Sequence, residues 1–221
     1  MSPPPAAVLF DEDRIVVIEK PSGVTSEQAA AAIGLRLVHR IDKGTSGLLM
    51  LARDARTVAR LQRMLRAGGV ERRYRFVAHG AVSPFVLDSE LVRDRGDGLR
   101  GSGVGGKRSI AEILDCIVAP DQATTLGVAR LITGRTHQLR IQLAEAGHPI
   151  VGERVYVRDA LRSGARLLDA TRLMLHAERL RFVHPGTKRA VELCAAVPAA
   201  LTSVSRGGQP RGPSTRISGS R

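Results

Sequence analysis

The chain has no tryptophan, two tyrosines and four phenylalanines in 221 residues. That is too few rings for a surface on which successive bases stack, so any base it recognises has to be held in a pocket. Its two cysteines, Cys116 and Cys194, stand alone without a CxxC pair. This excludes a zinc ribbon and a disulfide framework and fits the cytoplasm. No apolar run approaches the ~20 residues a membrane-crossing helix needs. Met1 to Phe10 has neither the basic start nor the long apolar stretch of an export signal. Internal repeats are absent. Acids are scarce beside bases: 21 Asp and Glu against 34 Lys and Arg give a formal charge of +13, which points to a polyanionic partner.

The apolar share of 43% is ordinary, and the length suits one buried core. Three consecutive prolines mark residues 1–7 as an extended arm, and a single domain is expected over 8–201. From Thr202 the chain is Gly, Pro, Ser and Arg without an acid, which predicts a disordered basic tail over 202–221. Between them, β-branched and apolar runs predict strands over 15–19, 48–52, 73–78, 110–118, 125–132, 173–182 and 190–195. Helices are expected over 26–33, after Asp54 with Val58, Leu61 and Leu65 on one face, and from Thr136 to Gly147. Without strict βαβ alternation, the class is α+β with a mixed or antiparallel sheet.

Several motifs fail on context. LRGSGVGGKRS over 99–109 contains GxGxxG and nearly a P-loop, but Arg108 stands where a P-loop needs Ser or Thr. The segment after it looks like a strand where both motifs require a helix. A flexible basic loop is expected there, with Lys107 and Arg108 available to an RNA backbone. The six histidines form no HExxH, and no GxSxG elbow exists.

Two polar clusters remain. In VHRIDKGTSGLLMLARD (38–54), Asp-Lys-Gly is good turn chemistry, and from the residues alone Asp42 reads most plainly as bonding its own backbone. In LITGRTHQLRIQLAEAGHPIVG (131–152), Arg135 sits at a turn before a helix, where the dipole disfavours a cation and so suggests an anionic partner.

These clusters, with DRIVVIEKPSGV (13–24), ERRYRF (71–76) and LHAERLRFVHP (175–185), resemble in order and spacing the signature blocks of the RluA-type RNA pseudouridine synthases. The resemblance covers most of the chain. It implies the pseudouridine synthase fold, a largely antiparallel sheet with a central cleft, and isomerisation of uridines in ribosomal or transfer RNA. Asp42 would be the nucleophile or base, Arg135 the cation that favours its ionised form, and Tyr74 the ring that stacks on the base and accepts the proton from carbon 5. Arg40 would fill the space left by the flipped uridine. His39, Lys43, Thr45, Lys107, Arg108, His137 and Arg140 would face RNA, with Ile141 and Leu175 as pocket walls. The isomerisation has no net redox change, so no cofactor, metal or nucleotide is expected, and the chain is expected to act as a monomer without a membrane partner. Ile41 for Leu and Gln142 for His are departures that spare the chemistry. The short connection of 15 residues between Gly23 and His39 alters one wall of the cleft. A stand-alone catalytic domain is expected, without the small N-terminal RNA-binding domain of many relatives. A non-catalytic RNA-binding domain of the same fold is the alternative; a P-loop or metal-dependent nucleic-acid enzyme would instead require nucleotide or magnesium.

Overall fold

The computed structural model describes residues 6–204. Its first hairpin joins β1 (Ala7–Glu12) to β2 (Ile15–Lys20). Thr25 then caps α1 (Ser26–Ala32) in a capping box with Gln28. After the short β3 (Arg36–Leu37) comes β4 (Ser46–Ala52), every residue of which is buried. Leu48 and Met50 enter one core with Leu61 and Val70, while Leu49 and Leu51 enter another with Ala29 and Ala30. A continuous apolar run is what a strand covered on both faces requires. Asp54 caps α2 (Ala55–Arg66), accepting from the Thr57 amide at 2.8 Å.

The second half continues through β5 (Val70–His79), β6 (Phe85–Val92), β7 (Gly101–Ser102), β8 (Lys107–Val118) and β9 (Thr124–Leu131). Then follow α3 (Gln138–Glu145), α4 (Arg158–Arg162), β10 (Leu175–Val183), β11 (Ala190–Cys194) and α5 (Ala199–Val204). Among the described residues the strands form one sheet in the order β1-β2-β4-β10-β5-β9-β8-β6-β7, with β3 added to β4 and β11 to β10. All pairings are antiparallel except that of β4 with β10, so the class is α+β with a mixed, largely antiparallel sheet. No described helix is long and apolar enough to cross a membrane.

The parallel seam is short and tight: His176 lies opposite Ser46 and Ala177 opposite Gly47. Gly47 has φ +105°, and a Cβ there would lie 2.3 Å from the Ala177 carbonyl oxygen. Gly47→Ala is therefore expected to cost about 3 kcal/mol or more from overpacking and backbone strain. That corresponds to a fall in Tm on the order of 10 °C. Gly23→Ala is the control, since its φ of +87° is strained but nothing lies within 4 Å of the added carbon. Its cost is about 1–2 kcal/mol. Equal losses in thermal unfolding followed by circular dichroism would contradict the packing argument.

Four expectations change. Thr136 does not cap a helix. The helix begins at Gln138 after His137, which is left-handed at φ 58°, and Gln138 Oε1 accepts from the Arg135 amide at 3.0 Å and the Thr133 hydroxyl at 2.8 Å. The basic segment over 99–109 is not one loop: Gly101–Ser102 pair with Val92 and Leu91, Lys107 to Ile113 pair with Leu91 to Phe85, and only a short turn lies between them. β6 itself was not expected, since Asp88, Ser89 and Glu90 interrupt the apolar alternation carried by Leu87 and Leu91. Finally, α5 runs into the start of the expected tail, with Leu201 buried in the core beside Val77 and Ala129. The rest of that tail and most of the N-terminal arm lie outside the described residues.

Candidate active site

Asp42 lies in the loop between β3 and β4. Its carbonyl accepts from the Thr45 amide at 3.0 Å, closing a turn, so the turn chemistry holds while the carboxylate is not spent on its own backbone. The loop is gripped from the end of β2 and the segment that follows it. Lys20 is fully buried, and its Nζ donates to the carbonyls of Pro21 (2.8 Å), Val24 (2.7 Å) and Lys43 (3.5 Å). Burial pulls its pKa down to about 8. The Gly23 amide also donates to the Lys43 carbonyl, Ser22 to that of Gly44, and Ser26 both donates to and accepts from Ile41. Ordering an exposed polar loop costs conformational entropy, and this set of bonds opposes that cost.

The opposite wall comes from α3 and the segment behind it. Arg140 donates twice to Glu153, at 2.7 and 2.8 Å, and its Nη1 reaches Asp42 Oδ2 at 3.3 Å. Its guanidinium also lies 5.3 Å from the centre of the Tyr156 ring. The Glu153 side chain is 0% exposed, Arg140 11% and Asp42 21%. Burial alone would raise the Glu153 carboxyl, but the Arg140 guanidinium overrides it and holds the group below the usual carboxylate range. The expected contact between Arg135 and Asp42 is not formed. Arg135 instead directs Nε and Nη2 to the Arg108 carbonyl, both at 3.4 Å, farther out along the cleft. The left-handed His137 turns the chain between the two arginines, so it is the first helical turn that meets Asp42. His137 Nδ1 pairs with the Tyr156 hydroxyl at 2.7 Å, and its Nε2 lies 3.9 Å from Asp42 Oδ1.

Between the walls is a cleft of about 520 Å³ lined by Asp42, Tyr74, Leu175, Leu139 and Arg140 among others. Tyr74 stands in register with Ala177 on one side and Ala129 on the other, which leaves room for its ring. Burial pushes its phenol above the usual range, and no described residue bonds the hydroxyl. Arg40 is exposed at the rim, paired with Glu27 at 3.4 Å, and Lys43 is exposed beside it. Thr45 lines the cleft with a buried hydroxyl that no described residue bonds.

Other expected residues fall elsewhere. Ile141 faces a separate small depression with Arg95 and Tyr156, because two residues of helix turn it away from the cleft that Leu139 lines. Lys107 and Arg108 lie on β8, outside the cleft, and Arg108 is tied to Asp88 at 3.1 and 2.7 Å. His39 touches the cleft, but its Nε2 accepts from the Met50 amide at 3.1 Å. Burial lowers its pKa to about 4, so it serves as a neutral strut of the loop. Lys20, Glu153 and Arg72 were not anticipated. Arg72 lines the cleft with a buried Nε that bonds to nothing described. The one available sign was the position of Lys20 in KPSG and of Arg72 two residues before Tyr74.

The arrangement brings the Asp42 carboxylate, the clamped Arg140 guanidinium and the Tyr74 ring into one partly enclosed space. Among the described residues, no group of three or more His, Cys, Asp or Glu side chains could hold a metal ion. Residues 14–145 match the model of the RNA pseudouridylate synthase family. An uncharacterized RNA pseudouridine synthase of Mycobacterium bovis is 32% identical over 218 residues, covering 88% of this chain and 70% of that protein. Ribosomal large subunit pseudouridine synthase D of Neisseria meningitidis is 32% identical, with 86% of this chain and 58% of the relative covered. Synthase C of Vibrio vulnificus is 30% identical, with 89% and 67% covered. Among solved structures, human RNA pseudouridylate synthase domain containing 1 superposes with a TM-score of 0.71 at 22% identity, covering 96% of this chain and all of that one.

Proposed function

Because the chain belongs to the RNA pseudouridylate synthase family, we propose that it isomerises uridines in structured RNA with Asp42 as the acting carboxylate. Ribosomal RNA is the favoured substrate, since relatives in Neisseria and Vibrio are named ribosomal large subunit pseudouridine synthases. The observation behind this reading is the Asp42 carboxylate, partly exposed in a cleft of about 520 Å³, with one oxygen on Arg140 and the Tyr74 ring in the same cleft.

The reaction breaks the bond from uracil N1 to the sugar, rotates the base and rejoins it through carbon 5. Nothing is oxidised or reduced, and the carbon 5 proton leaves. Asp42 acts as nucleophile on the uracil ring, as nucleophile on the anomeric carbon, or as base toward a sugar proton; all three put the same oxygen against the same nucleoside. Glu153 holds two arms of the Arg140 fork, which leaves Nη1 aimed at Asp42. Tyr74 stacks on the base, and because burial keeps its phenol protonated it takes the proton from carbon 5 only by passing its own hydroxyl proton on to solvent, while Leu175 and Leu139 limit water. Flipping the nucleotide costs a few kcal/mol, least from a loop, and Arg40, exposed at the rim, gives up its pairing with Glu27 to fill the gap.

Mapping pseudouridines across ribosomal and transfer RNA from cells with and without the protein tests this. Loss of one or a few sites on deletion is expected, and an unchanged map with unaltered RNA would support a binding domain without turnover instead. A second test separates the arginines. Arg135→Ala removes a cation from the outer cleft, so it is expected to raise KM for RNA by roughly 5-fold and to flatten the salt dependence of binding by about one charge. The kcat stays within about twofold. A kcat that collapses in Arg135→Ala would return that residue to the reacting centre.

A further inference from the structure

The outer face of α2 carries Arg56, Arg60, Arg63 and Arg66, all exposed, while Val58, Leu61, Met64 and Leu65 pack inward. The spacing of 4, 3 and 3 residues sets them along one side of the helix. Such a row works against the helix that carries it. Like charges at these spacings repel, and Arg56 in the first turn opposes the dipole that Arg63 and Arg66 in the last turn complement. Within α2 no acid offsets them. Some arginines elsewhere are neutralised locally, such as Arg53 by Asp11, Arg75 by Glu178 and Arg130 by Glu112, whereas among the described residues Arg72 and Arg135 beside the cleft share the unpaired state of the α2 row. Among the described residues none of the four on α2 enters an ion pair, and Arg60 alone donates to a carbonyl, that of Pro185.

The row also leads to the site. Arg66, Gln62 and Leu65 of α2 line a groove of about 400 Å³ with Arg72 and Arg135. Gln62, Arg72 and Arg135 line the Asp42 cleft as well, so the two depressions are continuous. From Arg56 to Arg66 the stripe is about 15 Å long, enough to follow several phosphates. No aromatic residue lies on α2, so the row has no ring platform for unpaired bases and offers chiefly charge to a phosphate backbone.

We infer that this arginine face of α2 is a docking surface for the phosphate backbone of a double-helical RNA segment flanking the target uridine. The inference rests on the function proposed above for the cleft and adds where the body of the substrate lies. A self-repelling helix face becomes favourable once phosphates neutralise it and counterions leave.

The test compares a hairpin bearing the uridine in its loop with the same loop sequence as an unpaired strand, by fluorescence anisotropy over a salt series. In the triple variant Arg56→Gln, Arg60→Gln, Arg63→Gln, hairpin affinity is expected to fall tenfold or more. The slope of log affinity against log salt becomes shallower by about 2 to 3. Affinity for the unpaired strand changes less than about threefold, and kcat at saturating hairpin is unchanged. The matching Lys variants retain most of the hairpin affinity, and the Gln variant melts no earlier than the parent because repulsion is relieved. Should the triple variant melt early, Arg63→Gln alone carries the same test with a slope change of about 1. Unchanged hairpin affinity and slope overturn the inference, as does an equal loss for hairpin and strand. If the parent isomerises no uridine yet the hairpin effect appears, the catalytic reading fails and the docking surface stands. If isomerisation persists without the hairpin effect, the reverse holds.

Discussion

Replacing Asp42 by alanine or asparagine is expected to lower tritium release from RNA labelled at uracil carbon 5 by roughly 10⁴-fold or more. Carbon 5 loses its hydrogen only when it takes the place of N1 on the sugar, so the label reports the completed isomerisation. Asparagine keeps the shape of the side chain and can still face Arg140, but it is neither a nucleophile nor a base. Neither variant is expected to unfold. Arg140 remains neutralised by two bonds to Glu153, so no buried charge is left uncompensated. A Tm within a few degrees of the parent and RNA affinity within about threefold would confine the defect to chemistry. Release that continues unabated in Asp42→Ala would remove this carboxylate from the mechanism.

Arg140→Met should behave in the opposite way on stability and in the same way on turnover. It leaves Glu153, with no exposed side-chain surface, carrying a carboxylate that only backbone amides address, those of Arg154, Val155 and Tyr156. Breaking a buried pair by removing one partner costs about 3–5 kcal/mol, a Tm loss on the order of 10 °C. The sign of its pH dependence is diagnostic. In the parent, Glu153 is held below its usual range, so its stabilisation is present above the ordinary carboxylate range and is lost as pH falls through the folded value. Without the guanidinium, burial dominates and the folded carboxyl shifts upward. The variant then gains relative stability in acid and loses it as pH rises, so its Tm deficit should shrink between neutral pH and about 4. A deficit constant with pH would show that the guanidinium acts through packing alone. Arg140→Lys keeps the charge but not the fork, and intermediate losses of stability and kcat are expected.

Much of the frame was legible because its causes are local. The seven buried residues of β4 are a nearly unbroken apolar run, and Asp54 before an amphipathic stretch is a cap whose partner is three residues away. β6 and β7 were not legible, because short or charge-interrupted strands are held by their neighbours in the sheet rather than by their own pattern. The candidate site divides in the same way. Asp42, Tyr74 and Leu175 could be read from blocks of sequence, and all three line one cleft. Choosing between Arg135 and Arg140 could not succeed from the TGRTHQLR block alone, since the choice is made by Glu153, which follows Arg140 by 13 residues and is buried against it. Lys20 was equally hidden. A lysine is tolerated in a core only when carbonyls surround it, and those of Pro21, Val24 and Lys43 meet only in the folded loop.

The place of β10 in the sheet bears on how the molecule is made. β10 lies between β4 and β5, yet it follows β5 in the chain by nearly 100 residues, from His79 to Leu175. A nascent polypeptide leaving the ribosome therefore exposes two facing strand edges, one from each half, until this late segment arrives and zips them together. Maturation of the cleft must wait for that step, and such distant pairing belongs to the slow end of folding kinetics. During the wait, those open edges are the surfaces on which chaperones would be most useful.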